Sequence, residues 1–221
     1  MIIGDIYHII VGKERLTTAS FAYPSFLQTI FTSMRYLNLK VLGVIAIIGA
    51  PWELIDFIKN GLYDRFELTS ASGIRNIIFM TGWICSVLGL YKLHQPMKRG
   101  QKNVFWIQII LLTLANIWNI IEVFDPRTHS IIFGILTIAW PLAGIFMMVT
   151  AIVIIMAKRL KGWKKYIPLI ASFWFPQTMF LGLTKQLSFT YLVLSGVYAA
   201  VCFALLGFSL IISSNEVGRT M

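Results

Sequence analysis

Six long apolar stretches dominate the sequence, and each has the length of a helix that crosses a membrane. They cover approximately residues 39–58, 74–93, 104–124, 131–157, 166–183 and 189–213. About 20 apolar residues in a helix span the roughly 30 Å hydrocarbon core of a bilayer. The stretches lack the polar and apolar alternation of membrane barrel strands. We therefore predict an all-α integral membrane protein with about six transmembrane helices in one bundle, over residues 38–213.

The composition supports a membrane solvent and argues against nucleic-acid binding. Hydrophobic residues make up 57% of the 221 residues and charged residues 13%, whereas soluble domains carry about a quarter charged residues. The net charge of +10 would suggest nucleic acid only if Lys and Arg clustered on a soluble face. Here they lie between the apolar stretches. We expect membrane lipids, and no nucleic acid, as partners.

The connections between the stretches divide the basic residues unequally. One side receives Lys13, Arg15, Arg35, Lys40, Lys92, Lys98, Arg99, Lys102, Lys158, Arg159, Lys161, Lys164, Lys165 and Arg219. The other side receives Lys59, Arg65, Arg75, Arg127 and Lys185. Short cytoplasmic loops carry the excess of Lys and Arg. This predicts a multi-pass protein of the cell membrane with both termini cytoplasmic, and residues 214–221 as a cytoplasmic tail.

The segment of residues 1–37 is too polar to cross a bilayer in one piece. Its apolar residues recur at helical spacing opposite polar ones: Phe26, Ile30, Phe31 and Met34 against Gln28, Thr32 and Arg35. Such a pattern is typical of an amphipathic interfacial helix on the membrane surface. The alternative is an additional span over residues 17–37, which Tyr23-Pro24-Ser25 would interrupt.

The ends of the first and third stretches share a pattern. Gly49, Trp52, Glu53 and Asp56 align without gaps with Ala115, Trp118, Asn119 and Glu122. The small, polar and acidic residues recur at i, i+4 and i+7, which lie on one helical face. Parallel repeats of helices occur in transporters. The pattern suggests a duplicated helical hairpin, while interfacial tryptophans followed by acids, and chance matches between short apolar segments, explain it without duplication.

These polar residues are the candidate site. Glu53 lies about 7–8 Å below the outer end of its span, where a carboxylate needs a partner. The first interpretation is structural, with Glu53 and Asp56 forming an ion-paired clamp with Arg75. The second is a ligand pocket open to the outer side, since carboxylates, amides and aromatic faces suit a cation, an amine or a lipid headgroup. The predicted ligand-binding residues are Trp52, Glu53, Asp56, Arg75, Asn116, Trp118, Asn119 and Glu122.

Other kinds of site lack their residues. His8, His94 and His129 do not sit within the predicted spans, as bis-imidazole haem would require, and no metal-binding spacing of His, Cys or acids occurs. Cys85 and Cys202 lie in different spans without a CxxC pattern and are expected to be buried thiols. We predict no catalytic residue, no metal and no cofactor.

Two stretches carry a resemblance. Gly82-Trp83-Ile84-Cys85, and residues 139–164 with their Ala-Trp-Pro-Leu and Lys-Arg-Leu-Lys-Gly-Trp-Lys motifs, resemble small polytopic bacterial membrane proteins without assigned function. The resemblance covers roughly the second to fifth spans. It implies a bacterial inner membrane and transfers no activity.

The sequence thus favours a non-enzymatic membrane protein that binds a small cationic or amphiphilic ligand, or a lipid, near the outer leaflet, as a sensor, carrier or accessory protein. One alternative is a membrane-embedded enzyme for lipid-like substrates, with Glu53 or Asp56 as the general base. The other is a structural subunit of a larger membrane assembly, with a second copy or another membrane protein as partner.

Overall fold

All regular structure in the described part of the chain is helical. The computed structural model describes residues 38–61, 69–125, 131–183 and 188–219. In chain order the α-helices are α1 (Leu39–Gly49), α2 (Trp52–Gly61), α3 (Ser70–Leu93), α4 (Arg99–Phe124), α5 (Ile131–Ala157), α6 (Ile167–Ser172), α7 (Trp174–Leu183) and α8 (Phe189–Arg219), with a 3-10 helix at Gly162–Tyr166. The predicted interfacial helix in residues 1–37, and its alternative as a further span, lie outside the described residues.

Five helical stretches are long and apolar enough to cross a membrane. They are Leu39–Lys59, which combines α1 and α2, then Ser70–Leu93, Arg99–Phe124, Gly134–Ala157 and Phe189–Asn215. The prediction of an all-helical chain with several membrane-length helices is therefore confirmed. The predicted fifth span at 166–183 differs, because α6 and α7 are separate short helices on either side of Phe173.

The break between α6 and α7 has a local cause and a compensating contact. Pro176 has no backbone N–H, so the carbonyl of Ser172 lacks its helical donor. The N–H of Phe173 turns back to the carbonyl of Ile170 at 3.2 Å, and the hydroxyl of Tyr198 on α8 donates to the same carbonyl at 2.5 Å. A neighbouring helix thus satisfies backbone at the break, as an apolar solvent requires.

The contacts of α8 show how many times the described helices cross the bundle. A methyl group added at Gly43 would lie 2.6 Å from the carbonyl oxygen of Gly207, and one added at Gly196 would lie 2.8 Å from Cα of Leu54. Residue numbers rise along α1 and α2 while they fall along α8, so α8 is antiparallel to both. Since α5 ends where α3 ends, α6 and α7 must carry the chain back before α8 begins. The described helices therefore make six traverses, five by long helices and one by the broken pair.

The two ends of this bundle differ in charge. The basic end holds the start of α1, the α3–α4 connection and residues 158–166, while the acidic end holds α2, the start of α3 and the end of α4. Arg159 links two parts of the basic end, because its guanidinium donates to the carbonyl oxygens of Gln95 at 2.5 Å and Pro96 at 3.0 Å. These contacts place the end of α5 beside the end of α3.

The centre of the bundle is filled with aromatic rings from three helices. Phe79 and Trp83 on α3, Trp174 on α7 and Phe203 on α8 are all buried. Their ring centroids lie 5.1–6.1 Å apart, in tilted or edge-to-face arrangements. Aromatic pairs prefer edge-to-face arrangements at such distances. Large apolar side chains such as Ile110, Ile135 and Phe208 instead point outward, as on helices that face lipid.

α1 approaches α3 at a pair of glycines. A methyl group added at Gly49 would lie 2.8 Å from Cα of Gly82 and 2.9 Å from the carbonyl oxygen of Ile78. Both obstacles are backbone atoms, which cannot move aside as a flexible side chain would. Small residues at such contacts let membrane helices pack closely.

Gly49→Ala should therefore lower the free energy of unfolding by about 1–3 kcal/mol through overpacking. Gly134→Ala is the matched control, because a methyl group there meets nothing within 4 Å; it should leave stability unchanged or raise it by up to about 1 kcal/mol. Labelling of Cys85 and Cys202, both free and buried, reports unfolding during heating. Equal shifts for the two variants would contradict the close α1–α3 contact.

His94 follows the last residue of α3 and is buried at the basic end. Its Nδ1 lies 2.7 Å from the carbonyl oxygen of Leu90, so Nδ1 carries the proton. Burial and, more weakly, the positive charge of Arg159 lower the pKa of His94, although the hydrogen bond to Leu90 opposes them. The folded protein therefore favours the neutral ring.

Because the folded-state pKa is below that of the unfolded chain, stability should be complete above about pH 6.5 and fall as the pH decreases further. His94→Gln should flatten this fall, measured by tryptophan fluorescence during unfolding at several pH values. His8→Gln and His129→Gln, at positions outside the described residues, serve as controls and should retain it. An unchanged slope in His94→Gln would rule out the buried neutral ring as its source.

Candidate functional site

Buried polar side chains collect at the acidic end. We call this group the acidic cluster; its members are Glu53 and Asp56 on α2, Ser72 and Arg75 on α3, and Asn119 and Glu122 on α4. All but Arg75 are buried, and the side chain of Arg75 is 15% exposed. Charged residues are almost never fully buried unless they have a partner. The cluster is therefore an unusual electrostatic arrangement that needs an explanation.

Glu53 is positioned by a break in the first span. α1 ends at Gly49 and α2 starts at Trp52, after Pro51. Glu53 consequently lies in the first turn of a new helix, where the unpaired N–H groups and the helix dipole favour a carboxylate. Glu53 is nevertheless buried, with 6% of its surface exposed. It lies close enough to Asp56 for the two carboxylates to repel each other.

Asp56 forms the ion pair between the first and second spans. Its Oδ1 accepts a hydrogen bond from Nε of Arg75 at 2.7 Å, a short charge-assisted contact. The sequence suggested Arg75 as a partner for both Glu53 and Asp56. Among the described residues, Asp56 forms this bond and Glu53 does not. The ion-paired clamp therefore contains one of the two predicted acids.

Glu122 is the most buried acid, with no exposed surface. It lies beside Ser72 and the backbone of Thr69, and within electrostatic range of Asp56 and Arg75. Ser72 and the backbone of Thr69 are near enough to interact with its carboxylate, but neither oxygen accepts a well-formed hydrogen bond from the described residues, and Nδ2 of Asn119 likewise lacks a partner there. One turn of α4 therefore presents a buried acceptor and a buried donor that the described chain leaves unsatisfied.

The close approach of α3 explains this burial. A methyl group added at Gly73 would lie 2.9 Å from the carbonyl oxygen of Asn119 and 2.8 Å from the side chain of Val123. The first turn of α3 therefore rests directly on the last turns of α4. The N-terminus of α3 also places the positive end of its helix dipole near Glu122.

The cluster contains more acids than cations. Glu53, Asp56 and Glu122 are three carboxylates, and Arg75 is the one cation in the group. In the described ranges, no three His, Cys, Asp or Glu side chains are arranged to hold a metal ion.

The remaining predicted site residues divide into two groups. Trp52 and Trp118 are half-buried and precede Asp56 and Glu122 by four residues, so each shares a helical face with an acid of the cluster. Asn116 lies apart, because its amide reaches toward Thr81 in the middle of α3 at 3.5 Å. The structure therefore brings the predicted acids and Arg75 together, while Trp52 and Trp118 are related to them by their helical faces alone.

Ser72 was missed in the sequence. Its backbone N–H is capped by the Thr69 side chain at 3.1 Å, which marks the start of α3. Once the start of α3 is known, Ser72 and Arg75 can be placed on one face of that helix, because they are three residues apart. The sequence signal that could have identified Ser72 was the capping residue Thr69, followed by Ser72 and Arg75 at this spacing.

The matched positions of the proposed repeat are equally buried. Gly49, Glu53 and Asp56 are buried, as are Ala115, Asn119 and Glu122. The two helices differ in continuity, because Pro51 breaks the first and the second is continuous through residue 124. Shared burial follows from packing both faces against α3, so duplication stays a prediction.

Comparison with protein-family models, with curated proteins and with solved structures finds no match in any of the three. The resemblance to small polytopic bacterial proteins accordingly stays a prediction. The chemistry of the acidic cluster has to be interpreted from its own geometry.

The Asp56–Arg75 pair should show strong coupling. Removing one partner of a buried pair costs about 3–5 kcal/mol, because the other charge is left alone. Asp56→Asn and Arg75→Gln should each destabilise the protein by about this amount, and the double variant by clearly less than their sum. Thermal unfolding of the two single variants and the double variant measures the coupling. Glu53→Gln combined with Arg75→Gln is the control and should be close to additive.

Proposed function

We propose that this chain is a non-enzymatic, multi-pass membrane protein that binds a small cationic amphiphile, or a lipid with an ammonium headgroup, at the acidic cluster. The observation that carries the proposal is Glu122, a fully buried carboxylate whose oxygens accept no well-formed hydrogen bond from the described residues. Asp56 beside it is already engaged by Arg75.

The charge balance supports a cation as the ligand. Carboxylates in an apolar interior require a partner or a proton. An ammonium group can supply one charge and up to three hydrogen-bond donors without the regular ligand shell of a metal ion. Its proton donors match the acceptor oxygens of Glu122, and Asn119 offers an amide for a polar group on the same ligand.

The tryptophans support an amphiphilic ligand. Trp52 and Trp118 flank the acids on their own helical faces, and an aromatic face attracts an organic cation within about 6 Å of the ring centroid. Half-buried rings at a helix end also suit the boundary between headgroups and acyl chains. A molecule with a cationic head and an apolar body meets both surfaces.

The orientation of the bundle supports an outer-leaflet site. The excess of Lys and Arg at the basic end favours the cytoplasmic side for that end. The acidic cluster then faces the outer leaflet of the cell membrane, and six traverses leave both termini of the bundle inside. A sensor, a carrier or an accessory protein would each use a site in this position.

A structural subunit is the second candidate, and the 2.7 Å bond between Arg75 and Asp56 favours it. That pair ties α2 to α3 whether or not a ligand is present. In this case the cluster would stabilise the bundle for assembly with another membrane protein.

The enzymatic alternative has less support. Asp56, one of the two predicted general bases, is held by Arg75. Ser72 is the hydroxyl beside Glu122, but no histidine or lysine of the described residues accompanies it in the cluster.

The experiment uses the full chain in a mild uncharged detergent and a primary alkylammonium probe, with an uncharged amphiphile of equal chain length for comparison. Native mass spectrometry measures the bound fraction. The cationic probe should bind more tightly, and Glu122→Gln should weaken its binding at least about tenfold, the effect of losing one charge-assisted contact. Asp125→Asn, an exposed acid at the same end, is the matched control and should bind normally.

Unfolding of Glu122→Gln without probe separates a lost site from a lost fold. Equal binding of both amphiphiles, or unchanged binding to a folded Glu122→Gln protein, would refute the proposal. A preparation that retains only another polypeptide would instead support the structural subunit.

A further inference from the structure

Two loops at the basic end are joined into one surface. One is the connection from α3 to α4, and the other follows α5. Arg159 in the second loop donates through Nη1 to the carbonyl oxygen of Gln95 and through Nη2 to that of Pro96. The two N–H groups of one guanidinium thus hold two successive carbonyls of the other loop, a fork geometry specific to arginine.

The joined loops carry one sign of charge. Between residues 92 and 102, and between 158 and 166, the sequence contains no Asp or Glu. The exposed cations on this surface are Lys98, Arg99, Lys158, Arg159 and Lys161, and we call them the basic surface. They come from both loops, so the Arg159 contacts bring together charges that are about 60 residues apart in the sequence.

Two aromatic side chains place this surface at a bilayer interface. Trp163 and Tyr166, on the 3-10 helix next to Lys161, are 54% and 46% exposed. Exposed Trp and Tyr at the ends of membrane helices lie at headgroup depth. Nζ of Lys165 stands 4.7 Å from the ring centroid of Tyr166, which keeps a further charge at the same level.

We propose that the basic surface is a binding site for the headgroup of an anionic phospholipid. The phosphate is bound between the α3–α4 loop and the loop after α5, and the acyl chains lie beside Trp163 and Tyr166. Arg159 is a positioning residue that keeps the two loops together. The aromatic anchors favour a lipid over free phosphate, because only a lipid brings acyl chains to the rings. This site is separate from the acidic cluster and independent of the function proposed for it.

The test is native mass spectrometry of the full chain with phosphatidylglycerol or phosphatidylcholine added in mild detergent. Phosphatidylglycerol should be retained in preference. Lys98→Gln with Lys161→Gln should reduce its affinity about 25-fold, since each surface lysine contributes about fivefold. Lys40→Gln, an exposed lysine on α1 outside both loops, should have at most a small effect.

Arg159→Lys separates a built site from diffuse charge, because it keeps the charge and removes the fork. Weaker binding of phosphatidylglycerol by a normally folded Arg159→Lys protein supports the site. Unchanged binding by that variant, equal retention of both lipids, or displacement of the bound lipid by excess inorganic phosphate would each overturn the proposal.

Discussion

The close backbone contact of α1 with α3 sets the position of the charged residues at the acidic end. Gly49 meets Gly82, and the two helices run in opposite directions. Asp56 lies seven residues after Gly49, and Arg75 lies seven residues before Gly82. Seven residues are two helical turns, about 10 Å, so the glycine contact brings the carboxylate and the guanidinium to the same height. The ion pair at 2.7 Å lies at this height, on α2 beyond the break at Pro51.

Residues on one turn of α8 contact the two spans that are broken into shorter helices. Gly196 admits the backbone of α2 at Leu54, and the hydroxyl of Ser195 lies 2.8 Å from that of Thr178 on α7. Tyr198 donates to the backbone beside the break at Phe173. One turn of α8 thus contacts both discontinuous spans. In an apolar solvent such breaks persist only where a neighbour completes the hydrogen bonds, which ties the short helices to α8.

Much of this architecture could be predicted from the sequence, because hydropathy and helix length suffice to find the spans. Pro168 and Pro176 lie within the fifth stretch, where a proline kinks or interrupts a helix. The partner of Arg75 could not be resolved between Glu53 and Asp56, since Pro51 starts a new helix whose rotation relative to α1 the sequence does not reveal. Asn116 and Asn119 raised the same difficulty: they are three residues apart, yet one reaches Thr81 and the other is buried in the cluster. Ser72 depended on the start of α3, which hydropathy alone placed several residues later.

The two ends of the bundle carry opposite charges and differ in how deeply those charges are buried. This difference in burial distinguishes the acidic cluster. At the basic end the cations are largely exposed, where water screens them and their cost is small. At the acidic end three carboxylates are buried beside one guanidinium. Replacing a buried ion pair with apolar residues is often neutral or stabilising, so even the Asp56–Arg75 pair is weak evidence for stability. Glu122 contributes less to stability, because its oxygens accept no well-formed hydrogen bond within the described chain. The cationic ligand proposed above would offset this cost by supplying the partner that the described chain does not.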